Sequence, residues 1–225
     1  MLSRMSVFGL IHGAWHGGWV WEQLAPALEV RGHHPVAVDL PISDDEAGVD
    51  VYARVVADAL GDEEDVVLVA HSLVGLVAPL VARLRPVSRI VLIAALLPVE
   101  GQSLVDSLRA DRGILIGGNE GRRIDERKRL EWIDAASAID ALYTDVDPQV
   151  AATAFSRLRP QANKPHVDKA TTGWPDVPTE YLVCAQDRMV SPDYQRRAPF
   201  TQRVLASAHS PMLSQVRCSR TISSR

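Results

Sequence analysis

Six short apolar runs restrict what this chain can become. They are "SVFGLI" (Ser6–Ile11), "HPVAVDL" (His34–Leu40), "DVVLVA" (Asp65–Ala70), "RIVLIAAL" (Arg89–Leu96), "TEYLVCA" (Thr179–Ala185) and "QRVLAS" (Gln202–Ser207). They are continuous rather than alternating, and rich in Val, Ile and Leu. A strand wet on one face alternates, whereas a strand covered on both does not, so these runs predict a parallel sheet buried on both sides. Segments with helical spacing lie between them: Trp19–Arg31, Val49–Leu60, Val74–Leu84 and Pro192–Ala198. Alternating strands and helices predict an α/β fold, a doubly wound and mostly parallel sheet of about six strands with helices on both faces. With 225 residues, 47% of them apolar, the chain fits one domain with a large core that needs no disulfide.

The alternation breaks once. From about Pro98 to Pro178 there is no strand-like run, and the charged stretch "GRRIDERKRLEWIDAASAIDALY" shows helical spacing over Leu130–Leu142. Leu130, Ile133, Ala138, Ile139 and Leu142 would form one stripe. So long an insertion in a compact fold points to function. The expected organisation is a core of residues 1–97 and 179–225, with residues 98–178 as a helical cap over the carboxyl edge of the sheet.

In parallel sheets ligands bind beyond the carboxyl ends of the strands. Ser72 stands at such an end, where "VVLVAHS" passes straight into the apolar helical run "LVGLVAPLVA". A tight strand-to-helix turn exposes the hydroxyl and leaves unpaired helix-start N–H groups beside it, which suit a developing oxyanion. Taken alone, Ser72 would equally serve as a helix N-cap. Two further strand ends change the balance. Asp187 follows "YLVCA", and His209 follows "RVLAS". The order Ser72, Asp187, His209 is that of nucleophile, acid and base in α/β-hydrolases. His209 would take the Ser72 proton, and Asp187 would orient the imidazole. His12 and Gly13 end the first run; Gly13 lets the backbone turn toward the site, so that the Ala14 N–H joins that of Leu73 as an oxyanion pair. A metal on His12 and His16 is disfavoured, because four-residue spacing from a strand end does not put two side chains on one face. Among rivals, Glu100 is a less well placed acid than Asp187, His71 reads as packing, Asp39 as a turn former, and His33 and His34 as solvated.

The net charge of −4, without blocks of one sign, argues against nucleic acid or a membrane surface as partner. No stretch approaches the ~20 apolar residues of a membrane span. The start of the chain lacks a signal-peptide pattern, and the two cysteines, Cys184 and Cys218, read as reduced thiols. These features lead to the expectation of a cytoplasmic protein.

"HGAWHGGWVWEQLAPALEVRGHHPVAVDL", "AHSLVG" and "HSPMLS" together resemble the α/β-hydrolase superfamily. More narrowly, they resemble the branch that holds plant methylesterases, hydroxynitrile lyases and bacterial esterases. The resemblance implies Ser72 as nucleophile, Asp187 as acid, His209 as base, Ala14 and Leu73 as oxyanion donors, a helical cap over a mainly apolar pocket, and no cofactor. It also implies a small-molecule ester as substrate. The alternatives are a silent ligand-binding scaffold and carbon–carbon hydrolase or lyase chemistry. Three departures matter. The elbow G-x-S-x-G here reads Ala70-His71-Ser72-Leu73-Val74, and the branched Val74 is expected to strain the turn or displace the helix. The lysine and threonine of the lyases are replaced by Ser210 and Ile11, which favours ester hydrolysis. The tail "SQVRCSRTISSR" is poor in apolar residues, which suggests a shortened last helix, an uncovered sheet face and a homodimer.

Overall fold

β1 (Val7–Ile11), the 3₁₀ turn Gly18–Trp21 and α1 (Leu24–Glu29) open the chain, followed by β2 (His34–Val38), α2 (Val49–Leu60) and β3 (Val66–His71). A 3₁₀ turn over Ser72–Leu76 leads into α3 (Ala78–Leu84) and β4 (Arg89–Ile93). Next come α4 (Leu104–Ala110), β5 (Arg122–Ile124), β6 (Leu130–Trp132), α5 (Ala135–Leu142), α6 (Pro148–Ser156) and α7 (Lys164–Val167). β7 (Thr179–Cys184), α8 (Pro192–Gln195), β8 (Thr201–Leu205) and α9 (Pro211–Ser214) close it. The computed structural model describes residues 5–117 and 120–215. From Val216 onward the unusual tail, with Cys218, lies outside the described residues.

Among the described residues six strands pair in parallel in the order β2-β1-β3-β4-β7-β8. In β1, β3, β4 and β7 alternate residues feed opposite layers, as strand geometry requires, whereas the edge runs fall short of the expected two-sided burial, with Ala37 of β2 and Val204 of β8 exposed. Leu10, Val67 and Val69 pack with Leu24 and Leu28 of α1 and with Met212 and Leu213 of α9. Ile11, Leu68 and Ala70 pack with Tyr52 and Val56 of α2 and Val81 of α3. Continuous apolarity is thus the mark of a sheet with a core on each side. The chain order reverses at β1, which has β2 on one flank and β3 on the other. A crevice therefore opens between the carboxyl ends of β1 and β3.

Prolines trim the predicted helices. Pro26 lacks an N–H and fits only a first turn, so α1 starts at Leu24, and Gly18–Trp21 form a separate 3₁₀ turn. Pro79 likewise occupies the first turn of α3. Pro192 starts α8, which ends at Gln195, short of the predicted Ala198.

The stretch 98–178 departs further from expectation. Arg122–Ile124 and Leu130–Trp132 form an antiparallel hairpin where no strand is predicted. Asp125 makes its turn: one carboxylate oxygen accepts the Arg127 and Arg129 amides, and Lys128 takes a positive φ of 61°. The predicted helical stripe over Leu130–Leu142 is therefore only half right. Leu130 lies on β6, Ile133 is exposed, and the helix begins at Ala135, where Asp134 caps the Ser137 amide. Among the described residues, no helix is long and apolar enough to cross a membrane.

Candidate active site

Ser72 follows β3 with φ of 56°, a left-handed conformation uncommon outside glycine. This turn lifts its hydroxyl above the carboxyl edge of the sheet. Val74 is buried in the layer formed with α2 and α3. Close approach is made one residue later instead. A Cβ at Gly75 would lie 2.3 Å from the Leu96 carbonyl oxygen. A 3₁₀ turn over Ser72–Leu76 precedes α3.

Asp187 and His209 converge on the serine from the ends of β7 and β8. The His209 Nε2 lies 3.1 Å from Ser72 Oγ, and its Nδ1 lies 2.9 Å from Asp187 Oδ2. A carboxylate accepts, so the ring proton sits on Nδ1 and the Nε2 lone pair faces the hydroxyl. All three side chains are buried. Asp187 is fixed by further donors: Oδ1 accepts the Met189 and Val190 amides, and Oδ2 accepts Gln195 Nε2. Gln195 is itself buried and receives the Cys184 amide on Oε1. Glu100, by contrast, is exposed and bridges Ala170.

Two peptide planes beside Ser72 are also held. In a trans peptide C=O and N–H point in opposite directions, so fixing the carbonyl aims the amide. The Gly13 carbonyl accepts His12 Nδ1–H, which orients the Ala14 N–H. The Ser72 carbonyl accepts the Leu96 N–H, which orients the Leu73 N–H. Gly13 is required by space, since a Cβ there would lie 2.8 Å from Ser72 Cβ.

Histidines pack behind this edge. His12 Nε2 accepts the Leu40 amide, so its proton is on Nδ1. His16 Nδ1 donates to the Ala14 carbonyl, and its Nε2 accepts the Tyr143 hydroxyl at 2.7 Å. Every nitrogen of both rings is engaged. Burial is the main cause that lowers their pKa, to about 4 for His12 and about 3 for His16. His71, predicted as packing, does more: its Nε2–H donates to the backbone carbonyl of His209, and burial holds its pKa well below the ordinary value. Asp39 accepts the Gly18 amide and pairs with Arg159. His33 is half-buried, its ring edge against Phe8, rather than solvated, whereas His34 is exposed.

A cavity of about 340 Å³ opens onto Ser72. Leu104, Leu108, Leu115 and Leu130 of the 98–178 stretch line it, with Met189 and Val190. That stretch is tied to the β1 loop. Trp15 Nε1–H donates to the Leu130 carbonyl, and the Arg159 amide donates to the Trp15 carbonyl. Sequence reasoning overlooked Asp145, whose Oδ2 accepts the Ala208 amide and the Ser214 hydroxyl on either side of His209. It also overlooked Gln195 and Tyr143. Nothing local distinguishes these three from other polar residues, since each acts through a partner distant in sequence.

A parallel sheet doubly wound by helices, with a serine–histidine–aspartate chain on its carboxyl edge, defines the class of α/β-hydrolase-fold proteins. The model of the alpha/beta hydrolase family matches residues 10–218, and the chain belongs to that family. It is similar to the carbendazim hydrolyzing esterase of Nocardioides sp. (strain SG-4G), at 37% identity over 81% of this chain and 87% of that one. It is also similar to methylesterase 3 of Arabidopsis thaliana, at 28% identity over 83% of this chain and 80% of that one. Among solved structures, a pyrethroid hydrolase from Sphingobium faniae JZ-2 superposes with a TM-score of 0.79 at 20% identity, covering 97% of this chain and 95% of that one; this likeness concerns the fold alone.

Proposed function

We propose that the protein is a serine hydrolase that cleaves a small, largely apolar carboxylic ester. Ser72 Oγ attacks the ester carbonyl as His209 Nε2 takes its proton. The oxyanion is held by the Ala14 and Leu73 amides, each such donor being worth about 3–4 kcal/mol in the transition state. The intermediate collapses, the alcohol leaves with the proton from His209, and Ser72 remains acylated. His209 then deprotonates water, which attacks the acyl-enzyme and releases the acid and the serine. Asp187 keeps the imidazole in the required tautomer and stabilises the imidazolium.

The observation that carries this reading is the Ser72–His209–Asp187 chain, at 3.1 and 2.9 Å, opening into a mainly apolar cavity. The names of the relatives, a methylesterase and a carbendazim hydrolyzing esterase, support ester cleavage. Residues 98–178 act as the lid of the site. The test is hydrolysis of p-nitrophenyl acetate and butyrate, with labelling by a fluorophosphonate. Turnover and labelling are expected in the wild type and lost in Ser72→Ala. Equal rates in both proteins would refute the proposal, and an unlabelled wild type that still binds esters would indicate a silent scaffold.

A further inference from the structure

Four successive peptide planes of the loop after β1 are held by hydrogen bonds, and residues 98–178 reach three of them. The Gly13 carbonyl accepts His12 Nδ1–H at 2.9 Å, and the Ala14 carbonyl accepts His16 Nδ1–H at 2.7 Å. The Trp15 carbonyl accepts the Arg159 amide at 2.8 Å, and the His16 carbonyl accepts Arg159 Nη2 at 2.9 Å. His16 is braced in turn from the same stretch. Tyr143, which closes α5, donates its hydroxyl to His16 Nε2 at 2.7 Å. Ala14, Trp15, His16 and Tyr143 are all buried. Trp15 takes a φ of 63°, a left-handed conformation that persists only where the surroundings impose it.

The order of protons along Tyr143, His16 and Ala14 is fixed. A carbonyl only accepts, so His16 carries its proton on Nδ1 and presents a lone pair at Nε2. That lone pair needs a donor, and the Tyr143 hydroxyl supplies it. Burial lowers the pKa of His16 to about 3 and pushes the Tyr143 phenol well above its ordinary value, so both groups stay neutral near pH 7. Without the hydroxyl a buried ring nitrogen is left unpaired, and the ring is free to turn toward another donor and release the Ala14 carbonyl. Resting on the esterase reading above, we infer that Tyr143 is a positioning residue for the oxyanion loop. Through His16 it pins the peptide plane that follows Ala14, while His12 pins the one before, and Ala14 between them is left with one direction for its N–H. The proposed lid thereby supplies transition-state stabilisation as well as a wall for the pocket.

The test compares Tyr143→Phe, which keeps the ring and loses the donor, with the wild type, each normalised to Ser72 titrated by a fluorophosphonate. On p-nitrophenyl butyrate kcat is expected to fall by about 10- to 100-fold with KM little changed, the size of a displaced oxyanion donor. A matched pair of ketones isolates the cause. With butyl trifluoromethyl ketone, Ser72 Oγ bonds to the carbonyl carbon, the C=O pair moves to oxygen as an oxyanion, and His209 takes the hydroxyl proton, so binding needs the two amides. Butyl methyl ketone fills the pocket without adding to the serine. The variant should bind the fluorinated ketone more weakly by the factor lost in kcat/KM, and the plain ketone equally well. In the wild type, long-range proton–nitrogen NMR should show His16 protonated at Nδ1 and bare at Nε2, a readout that needs no variant. An unaltered kcat, equal weakening of both ketones, or a His16 protonated at Nε2 would overturn the inference while leaving ester hydrolysis intact. A wild type that neither turns over the ester nor adds the fluorinated ketone would overturn both.

Discussion

His71 illustrates how a side chain next to the proposed nucleophile can act at a distance in sequence. It ends β3, so its ring points away from the direction that Ser72 takes. There it meets the loop after β8, where its Nε2–H holds the His209 carbonyl at 2.9 Å, with the two rings 4.8 Å apart. Phenylalanine would keep the volume but leave that carbonyl unpaired. His71→Phe is expected to lower kcat by up to about 100-fold through a small misplacement of His209, with KM little changed. Steady-state kinetics on p-nitrophenyl butyrate would decide, and an unaltered kcat would reduce His71 to filler. At this scale the site was partly legible. Ser72, Asp187 and His209 each follow an apolar run, so their common edge could be read from strand ends. His71, Gln195 and Asp145 act through hydrogen bonds to residues 138, 8 and 63 or 69 positions away, and periodicity carries no record of those partners.

Among the elements, the connection between α5 and α6 has the clearest mechanical role. Asp145 stands there and grips the two ends of the His209 segment, the Ala208 amide at 2.9 Å and the Ser214 hydroxyl at 2.8 Å. The proposed lid is therefore attached to the proposed base, His209, as well as to the loop after β1. Removing a carboxylate that receives two hydrogen bonds leaves the amide of buried Ala208 and the half-buried Ser214 hydroxyl unsatisfied, so Asp145→Ala should destabilise the fold by about 1–3 kcal/mol. Urea unfolding would measure this, and esterase activity at low denaturant should fall further than stability does, because His209 loses its support. Equal losses of activity in Asp145→Ala and in a surface variant of matched stability would argue against a coupling. The same stretch shows why element type was misread. Its hairpin is short, and its residues, including the charged Arg122, Arg123 and Glu131, lack the continuous apolar mark of a core strand. An aspartate side chain closes the turn, whereas hairpin signals rest on Asn-Gly and Asp-Gly pairs.

For the whole molecule, four histidines whose pKa is lowered by desolvation link stability to acidity. Burial lowers the pKa of His12 to about 4 and of His16 to about 3, and also depresses His71 and His166. Between the unfolded value of 6.5 and these lower values the unfolded chain binds protons that the folded chain refuses, so stability is full above pH 6.5 and is lost as pH falls below it. Each such histidine contributes a slope of up to about 1.4 kcal/mol per pH unit. Carboxylates held low by partners, such as Asp125 beside Arg129, weaken folding only at more acidic pH, near and below their ordinary range. Urea midpoints should therefore drop markedly between pH 7 and pH 5, and a flat profile over that interval would show that these rings protonate in place. The two kinds of information divide along a physical line. The one-dimensional pattern determined the layered α/β architecture and the strand ends that bear Ser72, Asp187 and His209, because burial on two faces writes itself directly into runs of apolar residues. Only the folded chain decided that His12 and Leu96 aim the two amides, that Asp145 steadies His209 and that Tyr143 braces His16, because hydrogen bonds depend on distances in space, which sequence neighbours do not encode.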